Sequence, residues 1–160
     1  MEFTALGSAT LTILITVIAT VLLLARLPGR AAQLVGTARG ATLTMLLTKQ
    51  VFGRPRPEPI HRLIEKAGFS FPSGHSLGAA AVYFAIALLA CRHFSGAGAR
   101  FVLLIFAALI AIGVAGSRLY LGVHYPSDVF AGVCLGAAWA LFVQALAFWL
   151  GDRTDQQAAS

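Results

Sequence analysis

Three short segments hold most of the residues in this chain that could do chemistry. The first runs from Lys49 to Pro57 and carries Lys49, Arg54 and Arg56. The second is Pro72-Ser73-Gly74-His75, and the third carries Ser117, Arg118, His124 and Asp128. Two histidines are thus flanked by guanidinium and ammonium donors. Phosphoryl transfer asks for that set: positive charge on the equatorial oxygens, an in-line nucleophile, and a proton for the leaving oxygen. Arg56 and Arg118 offer two-pronged guanidinium contacts, and Lys49 offers a point charge. Ser73 and Gly74 bring a hydroxyl and free backbone N–H groups to a helix start, which favours an anion. His124 precedes Asp128 by four residues, one helical turn. The carboxylate can then take one ring N–H and leave the other nitrogen to attack, which leaves His75 as the general acid.

In this order and spacing the segments resemble the three signature motifs of the type 2 phosphatidic acid phosphatase superfamily. Lys49, Arg56 and Pro57 fit the first motif, Pro72 to His75 the second, and Ser117, Arg118, His124 and Asp128 the third. The resemblance covers roughly Leu6 to Leu150, and no fixed motif residue departs from the pattern. It implies an enzyme that hydrolyses phosphomonoesters or pyrophosphates through a phosphohistidine, without a metal or other cofactor. Carried over, His124 attacks phosphorus, Asp128 orients it, and His75 protonates the departing oxygen and then activates water. Lys49, Arg56, Ser73, Gly74 and Arg118 hold the phosphoryl oxygens. The implied substrates are lipids of the undecaprenyl diphosphate, phosphatidic acid or phosphatidylglycerol phosphate class, met at the periplasmic face of a bacterial inner membrane.

The elements that must position these residues are membrane helices. Of the 160 residues 58% are hydrophobic and 11% charged, against about 25% charged in an ordinary soluble domain. The apolar residues lie in runs that approach or exceed the roughly 20 needed to cross a bilayer as a helix. They are continuous rather than alternating, which excludes a β-barrel. Five spans are expected in one all-α, membrane-embedded domain: about 4–25, 31–52, 73–91, 101–116 and 127–150. The second is the weakest, with Arg39 inside it. It also carries Gly36 and Gly40 at a spacing that lets helices approach closely, within or between chains. Membrane members of the superfamily usually have six spans, so the first is expected to be the missing one. Met1-Glu2-Phe3 lacks the basic start of a cleavable signal peptide.

With five spans, the end of the second, the start of the third, the end of the fourth and the start of the fifth all reach one membrane face. That face holds Lys49, Arg54, Arg56, Arg62, Lys66 and Arg118, half of the twelve basic residues. Arg26, Arg30, Arg92, Arg100 and Arg153 fall on the other, which the positive-inside tendency makes cytoplasmic. Basic residues on the disfavoured face need another reason to be there, and binding phosphate supplies one. The formal net charge of +6 therefore points to membrane lipids and a lipid phosphate as partners, not nucleic acid.

Several residues carry plainer readings. Arg54 and Arg62 are expected at the substrate rim or as solvated loop charge. His61, Glu58, Glu65 and Lys66 read as loop surface, and Arg39 as a snorkelling or bundle-paired cation. Tyr120, Tyr125 and Trp149 read as interfacial anchors. Cys91 and Cys134 lie at different depths, so no disulfide is expected. A metal held by His75, His124 and Asp128 is opposed by the neighbouring cations. Two other functions compete. A vanadate-dependent haloperoxidase shares this oxyanion site, but such proteins are soluble and longer. A non-catalytic lipid-phosphate binding or transport protein on a truncated scaffold is the alternative from another class.

Overall fold

A computed structural model of the chain describes residues 9–24, 27–58, 63–64 and 67–158. Five helices follow one another: α1 (Ala9–Leu24), α2 (Pro28–Phe52), α3 (Gly74–Cys91), α4 (Ala97–Tyr120) and α5 (Pro126–Ala158). There is no strand among the described residues. Lipid offers the backbone no hydrogen-bond partners, so an apolar run crossing it must satisfy its own N–H and C=O groups as a helix. The ends obey local chemistry. Pro28 opens α2 where its missing N–H costs nothing. Gly53 closes it in the left-handed conformation (φ 53°), donating its N–H to the Lys49 carbonyl at 3.0 Å. The Ser73 hydroxyl caps α3 by accepting from the Ser76 amide.

α3 is the axis of the bundle. Leu77, Ala79, Ala80, Ala81, Val82, Ala85, Ala87 and Leu89 are buried along it, and α2, α4 and α5 all pack against it, with α1 resting on α2 and α3. Small residues let α5 come close. A Cβ on Gly132 would stand 2.7 Å from the Ser73 carbonyl oxygen, and one on Gly136 would lie 2.9 Å from the Ala80 methyl. Close approach of this kind is how helices associate where lipid supplies little hydrophobic drive. Of the glycine pair in α2, Gly40 lies against the Trp139 ring of α5, while Gly36 has open space beside it. The pairing of small residues therefore works within the chain at Gly40. The Trp139 indole N–H completes that contact by donating to the Thr37 carbonyl at 3.1 Å.

The helices fall on the five apolar runs as far as these are described; residues 4–8 and 25 of the first expected span lie outside the described residues. Three of them, α3, α4 and Pro126–Gly151 of α5, are long and apolar enough to cross a membrane. Phe101, Phe106, Leu109 and Ile112 on α4, and Phe130, Phe142 and Phe148 on α5, turn outward, as side chains facing hydrocarbon do. α2 has the length, but Arg30, Arg39, Lys49 and its threonines dilute it; Arg39 lies exposed on its outer side. α4 begins at Ala97 and α5 runs on to Ala158, beyond the apolar runs, because a helix can continue into polar sequence where a span cannot.

The two ends of the bundle differ. At one, Arg30 meets His93 at 2.6 Å and the Gln33 and Gln144 carboxamides touch. At the other, the α2–α3 loop and the α4–α5 turn close over the starts of α3 and α5. There Ser73 N–H donates to the Asp128 carbonyl at 2.9 Å and Arg56 reaches the Val123 carbonyl at 2.9 Å.

Candidate active site

Asp128 lies in the first turn of α5 and is fully buried. A carboxylate there must be paired or heavily hydrogen-bonded, and it is. Its Oδ1 accepts from Arg54 Nη1 at 2.8 Å. Its Oδ2 accepts from the Ser70 hydroxyl and from the Tyr125 backbone N–H, the latter at 3.0 Å. His124 is not on the helix, as the spacing suggests, but in the bend just before it, because α5 starts at Pro126. Its Nδ1 lies 3.6 Å from Asp128 Oδ2 and 3.4 Å from Ser70 Oγ.

The other ring nitrogen of His124 faces the cations. Arg56 Nη1 sits 3.2 Å from His124 Nε2. A guanidinium can only donate, so Nε2 is the acceptor and the proton of the neutral ring resides on Nδ1. The ring is neutral because its pKa is pushed down to about 4, first by burial and then by the charges of Arg56 and Lys49, with Asp128 pulling the other way. Neutral carbonyl oxygens position these cations without cancelling their charge. Lys49 Nζ donates to the Phe69 carbonyl, and Arg56 donates to the carbonyls of Gly68 (3.0 Å), Phe69 (3.2 Å) and Val123.

The remaining residues singled out in the sequence stand at the ends of α3 and α4. Ser73 is buried at the cap of α3, its Oγ accepting from the Ser76 hydroxyl at 2.9 Å. Gly74 and His75 open α3, half-buried. Arg118 is 3% exposed in the last turn of α4, its Nε donating to Ser117 Oγ at 3.2 Å. His61, Arg62, Glu65 and Lys66 lie outside the described residues, and Glu58 is exposed.

Arg54 sets its guanidinium on Asp128 and Ser127 Oγ (2.7 Å), and its side chain stays 38% exposed. The Arg54 guanidinium carbon lies 4.2 Å above the Tyr125 ring centre, and Tyr120 is 79% exposed. Ser70 carries no sequence signal of its own. A serine in a polar loop usually faces water, and only its completely buried hydroxyl on Asp128 reveals it.

With this geometry in place, the likeness to other proteins can be weighed. Residues 30–152 match the PAP2 superfamily. Phosphatidylglycerophosphatase B of Bacillus subtilis is 43% identical over 90 residues, 55% of this chain and 43% of that protein. Lipid A 1-phosphatase of Rhizobium johnstonii is 36% identical over 111 residues, 64% of this chain and 41% of that one. The chain thus spans less than half the length of these curated relatives. Its fold is that of the crystal structure of a transmembrane PAP2 type phosphatidylglycerolphosphate phosphatase from Bacillus subtilis: TM-score 0.82 at 31% identity, covering 91% of this chain and 73% of that one. The matched region spans the residues that meet His124 and Asp128, and the chain belongs to the PAP2 superfamily.

Proposed function

We propose that this chain is a lipid phosphatase that hydrolyses a phosphomonoester or pyrophosphate on a membrane lipid through a phosphohistidine at His124. One observation carries the reading: His124 Nε2 lies 3.2 Å from Arg56 Nη1, a group that can only donate, so this nitrogen is the ring's acceptor. That nitrogen is a nucleophile waiting behind a cation. An arriving phosphoryl group draws Arg56 from Nε2 to its own oxygens, where Lys49, Arg118, the Ser73 hydroxyl and the Gly74 amide share the charge. Nε2 then attacks phosphorus in line as the bond to the leaving oxygen breaks, and His75 gives that oxygen its proton. In the second half, His75 takes a proton from water, the water oxygen attacks phosphorus, and the P–Nε2 bond breaks to return His124 and release phosphate. Three cations meet the phosphoryl charge, so the scheme needs no metal.

Apolar helices and phosphatase relatives named for lipids support a lipid substrate, its head group at the rim and its chains in the bilayer. Undecaprenyl diphosphate, phosphatidic acid and phosphatidylglycerol phosphate are the classes to test. The site belongs on the periplasmic face of the inner membrane, opposite the end that carries Arg30 and Arg92. The test is phosphate release from these three lipids by detergent-purified protein in the presence of EDTA. Release from at least one is expected. A folded sample that releases none, yet still binds the lipid phosphate, would instead make the chain a binding protein. Activity that appears only with an added divalent metal would overturn the phosphohistidine scheme.

A further inference from the structure

Asp128 does not face His124 alone. Nδ1 lies 3.6 Å from Oδ2, and Oδ2 also accepts from Ser70 and the Tyr125 amide. Ser70 Oγ lies beside Oδ2 and donates its proton to it, so that the two oxygens face Nδ1 together, at 3.4 and 3.6 Å. Nδ1 bears the proton of the neutral ring, and these two oxygens are the acceptors on that side. Ser70 is thus bound to the carboxylate and stands against the ring with it. At the far carboxylate oxygen Arg54 closes the arrangement at 2.8 Å, its guanidinium laid over Tyr125.

Arg54 and Ser70 reach Asp128 together because the loop folds back on itself at these two residues. The Ser70 N–H donates to the Arg54 carbonyl at 2.8 Å. One backbone clasp thus delivers a cation to one carboxylate oxygen and a hydroxyl to the other.

We infer that Arg54 and Ser70 are positioning residues for His124, acting through Asp128 and not through the substrate. Ser70 shares the carboxylate's hold on the ring as the ring gains positive charge during attack. Arg54 keeps the carboxylate in place. This inference rests on the phosphohistidine reading for its kinetic consequences, but its structural core does not.

The charged groups acting on the ring are Arg56 from the loop, Lys49 from α2 and Asp128 from α5, and Arg54 acts on it through Asp128. The test compares Ser70→Ala, Ser70→Thr, Arg54→Gln and Arg54→Lys with the parent protein. In Ser70→Ala and Arg54→Gln, kcat is expected to fall on the order of 10- to 100-fold, the range seen when partners that orient a functional histidine are lost. KM should change little. Ser70→Thr and Arg54→Lys should recover much of kcat. A rise in KM with kcat unchanged would make Arg54 a substrate contact and overturn the inference. Nitrogen NMR of labelled histidine gives a readout that needs no turnover. The Nδ1–H form of His124 should dominate in the parent protein and lose population in Ser70→Ala. An unchanged tautomer in a folded Ser70→Ala protein would sink the proposal even if the parent is an active phosphatase. A changed one would uphold it even if no lipid is hydrolysed.

Discussion

At the scale of single residues, the chemistry depends on a histidine that declines a proton despite standing near a carboxylate. Burial and two cations outweigh Asp128 and bring the His124 pKa down to about 4. The sign of the consequence is fixed. Between about 4 and the ordinary 6.5 the unfolded chain binds a proton that the folded chain refuses. The stability contributed by this group is therefore complete above 6.5 and drains away as pH falls toward 4. NMR titration of histidine-labelled protein should find the His124 ring neutral well below 6.5. In Arg56→Gln its titration should move up, because a lowering charge is gone. A parent protein whose His124 titrates at or above 6.5 would contradict the account.

The sequence made His124, Asp128 and their cations legible because side chains of fixed chemistry recur at fixed spacing. It left Ser70 hidden for a physical reason. A hydroxyl has no charge and no strong preference, and its role comes from a loop that returns it to Asp128 from 58 positions away. Arg54 was visible as a cation but not by direction, since its turn inward depends on Tyr125 and Asp128 in three dimensions.

At the scale of elements, small residues on α5 set the distance between the two helices that open at the site. Ser73 at the head of α3 and Asp128 at the head of α5 are joined by a backbone hydrogen bond, and Gly132 and Gly136 continue that contact down the helix. Gly136→Val should push α5 from α3 and destabilise the protein by about 1–3 kcal/mol, the usual cost of overpacking. Gly36→Ala, with open space around it, should leave thermal unfolding in detergent nearly unchanged. Equal melting of both variants and the parent would mean that the α3–α5 contact is not what the glycines provide. Apolar runs marked these elements well. They marked helix ends poorly at α4 and α5, where hydropathy reports lipid contact and the helix outlasts it.

At the scale of the whole molecule, the bundle gathers one polar cluster at each end. His124, Asp128 and the cations of the α2–α3 loop occupy one; Arg30, His93, Gln33 and Gln144 occupy the other. The proposed orientation puts the first outside and the second in the cytoplasm. It can be read from single cysteines placed in a Cys91→Ala, Cys134→Ala background. Ala67→Cys in the α2–α3 loop should react with a membrane-impermeant thiol reagent added to spheroplasts. Gly96→Cys, before α4, should react only after permeabilisation. The reverse pattern would invert the topology while leaving the chemistry intact.

The proposed reaction turns on His124 itself receiving the phosphoryl group. A His75→Ala protein supplied with p-nitrophenyl phosphate isolates that step, because this leaving group departs without a proton while the water step still lacks its base. The expected result is a burst approaching one nitrophenolate per active protein, with acid-labile, alkali-stable phosphate on the peptide that contains His124. Phosphate on another residue, or a burst without covalent phosphate, would show that His124 is not the nucleophile.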